Sequence, residues 1–342
     1  PGHAVAHALG ELRVTKINPR YHARRCTHPA NILVSMNAMS DEVRRPGAQV
    51  VVIGAGPSGS AAAAWAARAG HEVLVIDAAE FPRDKACGDG LTPRAVAELQ
   101  RLGLGDWLGG RIRHHGLRLT GFGASVDVPW PGPSFPAVSS AVPRTELDDR
   151  IRTAAEDAGA AMLLGVKCVD VVQDSAGRVT EVVLSDGRRI GCRRVIVADG
   201  ARSPLGRVLG RQWHQETVYG VAARGYLASP RAAEPWISSD LELRSPAGGA
   251  GNRAGDGQVL PGYGWIFPLG NGEVNIGVGA LATAKRPAEV ALRPLIKHYA
   301  DLKRAAWGFA GPPRAVASAL LPMGGAVSGV AGPNWMLVGD AA

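Results

Sequence analysis

Val50-Val51-Val52-Ile53-Gly54-Ala55-Gly56-Pro57-Ser58-Gly59 is a short apolar run followed at once by a Gly-x-Gly-x-x-Gly turn. The β-branched run predicts a buried parallel strand over 50–53. Residues 60–69 are Ala-rich and read as a helix, with Gly70 placed to end it. Residues 72–76 read as a second strand that closes on Asp77. The whole is a strand–turn–helix–strand unit of about 30 residues, the setting in which this glycine pattern binds a dinucleotide. Gly54 permits the tight turn, Gly56 lets the backbone approach a pyrophosphate, and Gly59 lets the helix lie close to the strand. The helix start, at Pro57 and Ser58, offers free N–H groups and a positive dipole end. Asp77 is placed to accept hydrogen bonds from ribose hydroxyls.

The bulk properties fit this reading. The chain has 342 residues, 46% of them hydrophobic and 20% charged, as in an ordinary water-soluble fold. Its net charge of +8 comes from scattered residues. No basic stripe with interleaved aromatics is present, so nucleic acid is not an expected partner. The four cysteines, Cys26, Cys87, Cys168 and Cys192, show no Cys-x-x-Cys spacing, so no metal site or disulfide framework is expected and a reducing cytoplasm fits. No apolar stretch is long enough to cross a membrane.

Further along, residues 144–161 read as a helix ending near Gly159. Residues 161–172 and 179–184 read as strands joined around 174–177, and 194–198 as a buried strand running into Asp199-Gly200. From 206 to 324 the pattern is mostly β, with a Gly-rich loop at 247–257. Residues 335–338 form a last strand before Gly339-Asp340.

The segments 54–59, Asp199-Gly200 and Gly339-Asp340 together resemble the three signature segments of glutathione-reductase-type flavoproteins, in the p-hydroxybenzoate-hydroxylase-like branch. The resemblance implies an α/β FAD-binding fold with a β-rich substrate domain, and FAD rather than NAD. It places Asp199-Gly200 near the cofactor and the Asp340 carboxylate on the ribityl chain. Arg144, followed by Leu147 and Asp148, is similar to an arginine that such proteins hold near FAD. The strand around Cys168 is similar to one whose backbone contacts the adenine.

Two further segments are more specific. Phe81-Pro82-Arg83-Asp84-Lys85-Ala86-Cys87-Gly88-Asp89-Gly90-Leu91 and Pro261-Gly262-Tyr263-Gly264-Trp265-Ile266-Phe267-Pro268 resemble the geranylgeranyl reductase family, in its bacterial menaquinone reductase branch. The resemblance implies hydride transfer from reduced FAD to a carbon–carbon double bond of an isoprenoid chain, either a menaquinone side chain or a geranylgeranyl group. An isolated alkene is a poor hydride acceptor, so a proton donor and an aromatic face that tolerates positive charge are needed. Tyr263, Trp265 and Phe267 alternate along a strand and can share one face as a substrate wall. Cys87 and Asp89 are the candidate catalytic groups, Cys87 as proton donor, redox thiol or packing residue and Asp89 as a group that orients water. Gly88 and Gly90 suggest a backbone pressed close to the flavin. Lys85 is expected to pair with a carboxylate or face solvent.

Three alternatives stand beside this reading. A flavin-dependent monooxygenase or halogenase would share the fold, and Tyr-x-Trp-x-Phe-Pro is similar to a halogenase segment. The third is an inactive fragment, because the chain stops at Gly339-Asp340-Ala341-Ala342, inside what reads as a strand-to-helix turn. The expected organisation is an FAD-binding domain from 48–110, 140–205 and 325–342, incomplete at its C-terminal end, and a substrate domain from 111–139 and 206–324. Residues 1–47 read as a disordered or non-native extension, with Met36 or Met39 as the natural start. No second dinucleotide unit is evident, which leaves a nicotinamide cofactor or a reductant protein as the electron donor. A lipid-quinone substrate implies peripheral contact with the inner face of a membrane.

Overall fold

The computed structural model describes residues 47–214, 216–246, 257–283, 285 and 291–342. The expected extension at 1–46 and nearly all of the Gly-rich loop at 247–257 lie outside the described residues. Gly47, assigned to that extension from sequence, instead opens the first strand.

The Gly-x-Gly-x-x-Gly unit forms as a βαβ crossover. Strand Gly47–Ile53 leads to helix Pro57–Arg68 and then to strand Val73–Ile76, which pairs parallel to the first. Pro57 occupies the first helical turn, where its missing N–H costs nothing. Gly70 adopts φ +85° just past the helix end, a conformation that suits glycine.

The first large sheet runs in the order Ala161–Leu163, Val73–Ile76, Gly47–Ile53, Arg189–Val197, Val179–Leu184, Cys168–Gln173. Strand Arg189–Val197 divides one edge between two neighbours. Residues 189–191 pair antiparallel with Val179–Leu184, and residues 195–197 pair parallel with Trp335–Leu337. Asn334 fills the fork: its side chain donates to Val179 O and Arg193 O and accepts from Val179 N at 2.8 Å.

The single strand expected over 161–172 is two strands. Ala161–Leu163 pairs with Val73–Ile76, whereas Cys168–Gln173 pairs with Val179–Leu184 at the opposite edge. The chain breaks between them at Gly165, with φ +74°.

The second large sheet has the order Arg314–Leu321, Tyr219–Ala228, Glu273–Ala282, Gly262–Pro268, Trp236–Asp240, Gly116–Gly121, Ala124–Pro129. One face is closed by helix Leu292–Trp307, which sets Leu295, Ile296 and Tyr299 against Ile266, Ile276 and Val278. This helix falls in a region read from sequence as mostly β. The Tyr299 ring occupies the space a side chain at Gly264 would need. The other face carries Tyr263, Trp265 and Phe267, with neighbouring ring centroids 5.8 and 6.1 Å apart.

Candidate active site

A cavity of about 500 Å³ opens at the C-terminal ends of the parallel strands, where open α/β sheets bind their ligands. Its first wall is the glycine turn. A Cβ on Gly54 would collide with Ala198 O, and one on Gly59 with Gly54 O. These two glycines hold the turn against its own fold. Gly56 differs, since a Cβ there would meet only Arg83 Nη2 at 3.5 Å, an ordinary contact. Nothing in the protein requires glycine at 56; a ligand lying on that backbone would. No side chain caps the helix Pro57–Arg68, so the first N–H groups are left for a ligand.

Asp77 ends the second strand at the cavity, and its carboxylate accepts from Ala55 N at 2.6 Å and Ala79 N at 2.8 Å. It therefore braces the glycine turn and keeps further lone pairs for a ribose. Opposite lie Asp199 and Gly200. Asp199 accepts from Ser203 Oγ and, at 2.9 Å, from Leu205 N, which caps the short helix Pro204–Val208. Cys168 is buried in the wall, and burial pushes its thiol up to about 12, so it is an inert thiol offering backbone. Gly339 packs against Ser58, and Asp340 faces the cavity.

Arg144 also lines the cavity, anchored to the fully buried Asp148 by two hydrogen bonds. Burial works against its charge, but Asp148 outweighs that and holds the guanidinium above its ordinary range. Asp148 accepts a third bond from Arg83 Nη1 at 3.0 Å. One carboxylate thus aims two guanidinium groups at the cavity. Sequence reasoning found Arg144 and missed Arg83, Asp84 and Lys167, all in the lining. Lys85 pairs with Asp340 across 3.3 Å, so the lysine meets a carboxylate as expected, and that carboxylate is the one assigned to the ribityl chain.

The catalytic candidates and the aromatic strand do not line this cavity. They meet beside it, where residues 84–90 cross onto the second sheet. Gly88 and Gly90 are pressed by the Phe267 ring, which a Cβ at either position would strike. These glycines therefore pack against the aromatic strand, with no room for a side chain between. The left-handed residue of the segment is Asp89, at φ +62°, a conformation that costs a non-glycine residue about 1 kcal/mol. Asp89 is 1% exposed. Tyr226 Oη and Asn275 Nδ2 each donate to its Oδ2 at 2.8 Å, and Asn275 Nδ2 also donates to Cys87 O at 3.1 Å. The Cys87 thiol lies against the Arg144 guanidinium.

The same crossing holds a buried cation, Arg224, which is 1% exposed. It donates to Asp84, to Lys85 O and to Ala315 O, and lies over the Tyr226 ring. Leaving Arg224 without Asp84 would strand a buried charge, at about 3 kcal/mol or more. Arg224 and Tyr226 gave no signal in the sequence, since they sit two residues apart in a mostly apolar strand; Asn275 lies in the stretch 274–279, which resembles the reductase family, but nothing there gave it a role.

These residues fit FAD. The bare backbone at Gly56, the uncapped helix start, the two cations held by Asp148 and the acceptors Asp77 and Asp340 are what a pyrophosphate flanked by ribose and ribityl hydroxyls demands. The FAD binding domain family matches residues 47–248. Menaquinone reductase of Mycolicibacterium smegmatis is 75% identical over 295 residues, which are 86% of this chain and 70% of that protein. The chain belongs to the menaquinone reductase family of FAD-binding oxidoreductases. Menaquinone reductase of Mycobacterium tuberculosis is 70% identical over the same shares. Digeranylgeranylglycerophospholipid reductase 1 of Methanopyrus kandleri, at 31% identity, is matched over 86% of this chain and 73% of its own length. The fold of the family is the glutathione-reductase-type FAD fold. A geranylgeranyl bacteriochlorophyll reductase-like structure from Thermoplasma acidophilum superposes with TM-score 0.70 at 20% identity, covering 87% of this chain and 72% of that one. A flavin-dependent brominase superposes with TM-score 0.67 at 22% identity, over 86% and 72%. At such identity these two likenesses speak for the fold alone.

Proposed function

We propose that this member of the menaquinone reductase family saturates a carbon–carbon double bond in an isoprenoid chain, with a menaquinone side chain as the foremost substrate. The observation that carries the reading is the junction beside the FAD cavity. There Cys87-Gly88-Asp89-Gly90 is clamped onto the strand of Tyr263, Trp265 and Phe267, so polar groups able to move protons abut an aromatic wall.

Reduced FAD, when bound, supplies a hydride. The residues of the chain supply the rest. Gly54, Gly56, Pro57, Ser58, Gly59, Asp77, Arg144, Cys168, Asp199, Gly200, Gly339 and Asp340 hold the cofactor from the first sheet, and Arg83 joins Arg144 in meeting its negative charge. The second sheet offers Tyr263, Trp265 and Phe267 to an apolar tail and excludes water, which strengthens electrostatic effects at the reacting carbons. Beside these rings the sheet is floored by Gly277 and Gly279, with Gly277 directly beneath Trp265. Cys87 and Asp89 stand at the polar end of this face.

No helix among the described residues is long and apolar enough to cross a membrane. A lipid substrate suits peripheral contact with a membrane surface. The test is product analysis with chemically reduced FAD and menaquinone under anaerobic conditions. Addition of two hydrogens to the side chain supports the reading. A product that requires oxygen or halide overturns it in favour of monooxygenase or halogenase chemistry.

A further inference from the structure

The turn between strands Gly116–Gly121 and Ala124–Pro129 holds a residue that its backbone does not favour. Gly121 pairs with Ala124, so the loop is Phe122-Gly123, and both residues adopt positive φ, at +51° and +78°. A two-residue hairpin of this form prefers Asn-Gly or Asp-Gly, and a bulky side chain in the left-handed region is an outlier. The fold braces the turn. Phe122 N–H donates to the Glu242 carboxylate, and Leu241 N–H donates to Thr120 O at 2.8 Å. Burial of the ring does not explain the strain. Phe122 is 69% exposed, the most of any large apolar side chain among the described residues. Backbone strain that serves an exposed ring points to a use outside the fold.

Phe122 stands at the tip of a face that leads to the aromatic wall. Val126 pairs with Leu119, Leu119 with Ser239 and Ser239 with Trp265, so these four share one face across four strands. One residue past the Asp240–Gly264 pair, Leu241 and Tyr263 are neighbours on the same face. Val126, Leu241 and Tyr263 are between 46% and 57% exposed, whereas Trp265 is buried. The charges of these strands are turned the other way. Asp127 pairs with Arg118, and Asp240 with Lys303 of the helix that closes the opposite face. Glu242 and Arg244 pair with each other beside the tip and give the patch a polar rim.

We propose that Phe122, Val126 and Leu241 form the surface by which the protein docks on a lipid bilayer, with the Phe122 ring entering the interface. Hydrocarbon carries no charge and makes no hydrogen bonds, which matches a patch whose charges face away. Exposed apolar patches with a polar rim mark interaction surfaces. The patch is continuous with the aromatic wall through Tyr263, whose ring centroid lies 5.8 Å from that of Trp265. A polyprenyl tail leaving the bilayer would meet Tyr263 before Trp265. That last point rests on the reductase reading; the strain at Phe122 does not.

The test is flotation of the full chain with vesicles of phosphatidylethanolamine and phosphatidylglycerol. High salt screens the net charge of +8 and leaves apolar contact. Wild type should float. Phe122→Asn suits the turn, so its unfolding temperature should hold or rise by about 2 °C. Its partition into the vesicles should nevertheless fall by about tenfold or more, and adding Leu241→Ser should lower it further. Phe122→Trp should keep the partition and add fluorescence that brominated lipid quenches. Equal partition of wild type and Phe122→Asn, or none by wild type, overturns the proposal. So does a dimer in lipid-free solution that Phe122→Asn abolishes, which would give the surface to a second copy of the chain. Reduced isoprenoid in detergent together with equal partition removes the docking surface alone. Phe122-dependent partition with no reduced isoprenoid supports the docking surface and removes the reductase reading alone.

Discussion

The Trp265 indole N–H donates to Asn275 Oδ1 at 2.9 Å, and that bond decides which way the Asn275 amide faces. An indole can only donate, so the asparagine oxygen must point to it and the two amide hydrogens must point away. They go to Cys87 O and Asp89 Oδ2. The aromatic strand thus sets the orientation of the polar segment through one side chain of its neighbouring strand.

Asn275→Ala should remove all three bonds. It would leave the Trp265 N–H and the Cys87 carbonyl without partners in a buried place, at about 3 kcal/mol in total. Urea unfolding would measure this. A change below about 0.5 kcal/mol would show that the network contributes nothing to the crossing.

Gly54→Ala and Gly56→Ala should separate folding from cofactor binding. At 54 the new methyl meets Ala198 O at φ +103°, so the fold should lose stability. At 56 it meets only the end of Arg83, so thermal stability of the flavin-free chain should hold or rise by about 0.5 kcal/mol. Flavin affinity of Gly56→Ala, read by fluorescence titration, should fall by about tenfold or more, a loss of roughly 1.4 kcal/mol. Equal affinity for the two chains would remove Gly56 from the pyrophosphate site.

Asp148→Ala should strand Arg144 and release Arg83. Asp148 is fully buried and accepts three hydrogen bonds from the two guanidinium groups. Breaking a buried pair from one side costs about 3–5 kcal/mol. Calorimetry would register it as a large drop in the unfolding temperature, and Asp148→Asn should recover part of the loss.

His114 predicts a loss of stability in acid. The ring is buried, its Nε2–H donates to Pro268 O at 3.0 Å, and burial lowers its pKa to about 4. The unfolded chain takes up this proton first. Stability is therefore fully present above about pH 6.5 and falls as pH drops towards 4, by about 3 kcal/mol for this group alone. Asp89 works in the opposite direction, since its carboxyl is raised. Comparing wild type with His114→Gln across this range isolates the histidine; parallel curves would show that it does not titrate as described.

Much of the cofactor cavity could be read from the sequence because its geometry is local. Gly54, Gly56 and Asp77 lie within one βαβ unit, where spacing along the chain fixes spacing in space. The aromatic face was legible for the same reason, since alternation on a strand is a local rule. The partition of 161–173 between opposite sheet edges was not legible: an apolar run shows that a segment is buried, but not which neighbour it joins. Helix Leu292–Trp307 did carry a helical signal, since Leu295, Ile296, Tyr299 and Ala300 repeat at three to four residues. That signal lay in a Gly- and Pro-rich stretch otherwise dominated by strands. The roles of Arg83 and Asn275 were hidden because their partners lie far along the chain, and Asp148, though it meets Arg144 one helical turn away, also holds Arg83 from a distant segment.

The forked edge of strand Arg189–Val197 has a consequence for the order of assembly. Residues 195–197 lead into Asp199-Gly200, and their outer edge is closed by Trp335–Leu337. During synthesis the entire second sheet leaves the ribosome before that closing strand does. Until then a row of backbone groups stands open next to the cavity, a template for wrong pairing. The same late event brings Gly339 against Ser58 and Asp340 to Lys85. The glycine turn is thus among the first parts of the described fold to be made, and the wall that faces it is among the last, so capture of the cofactor must wait for nearly the whole of this chain.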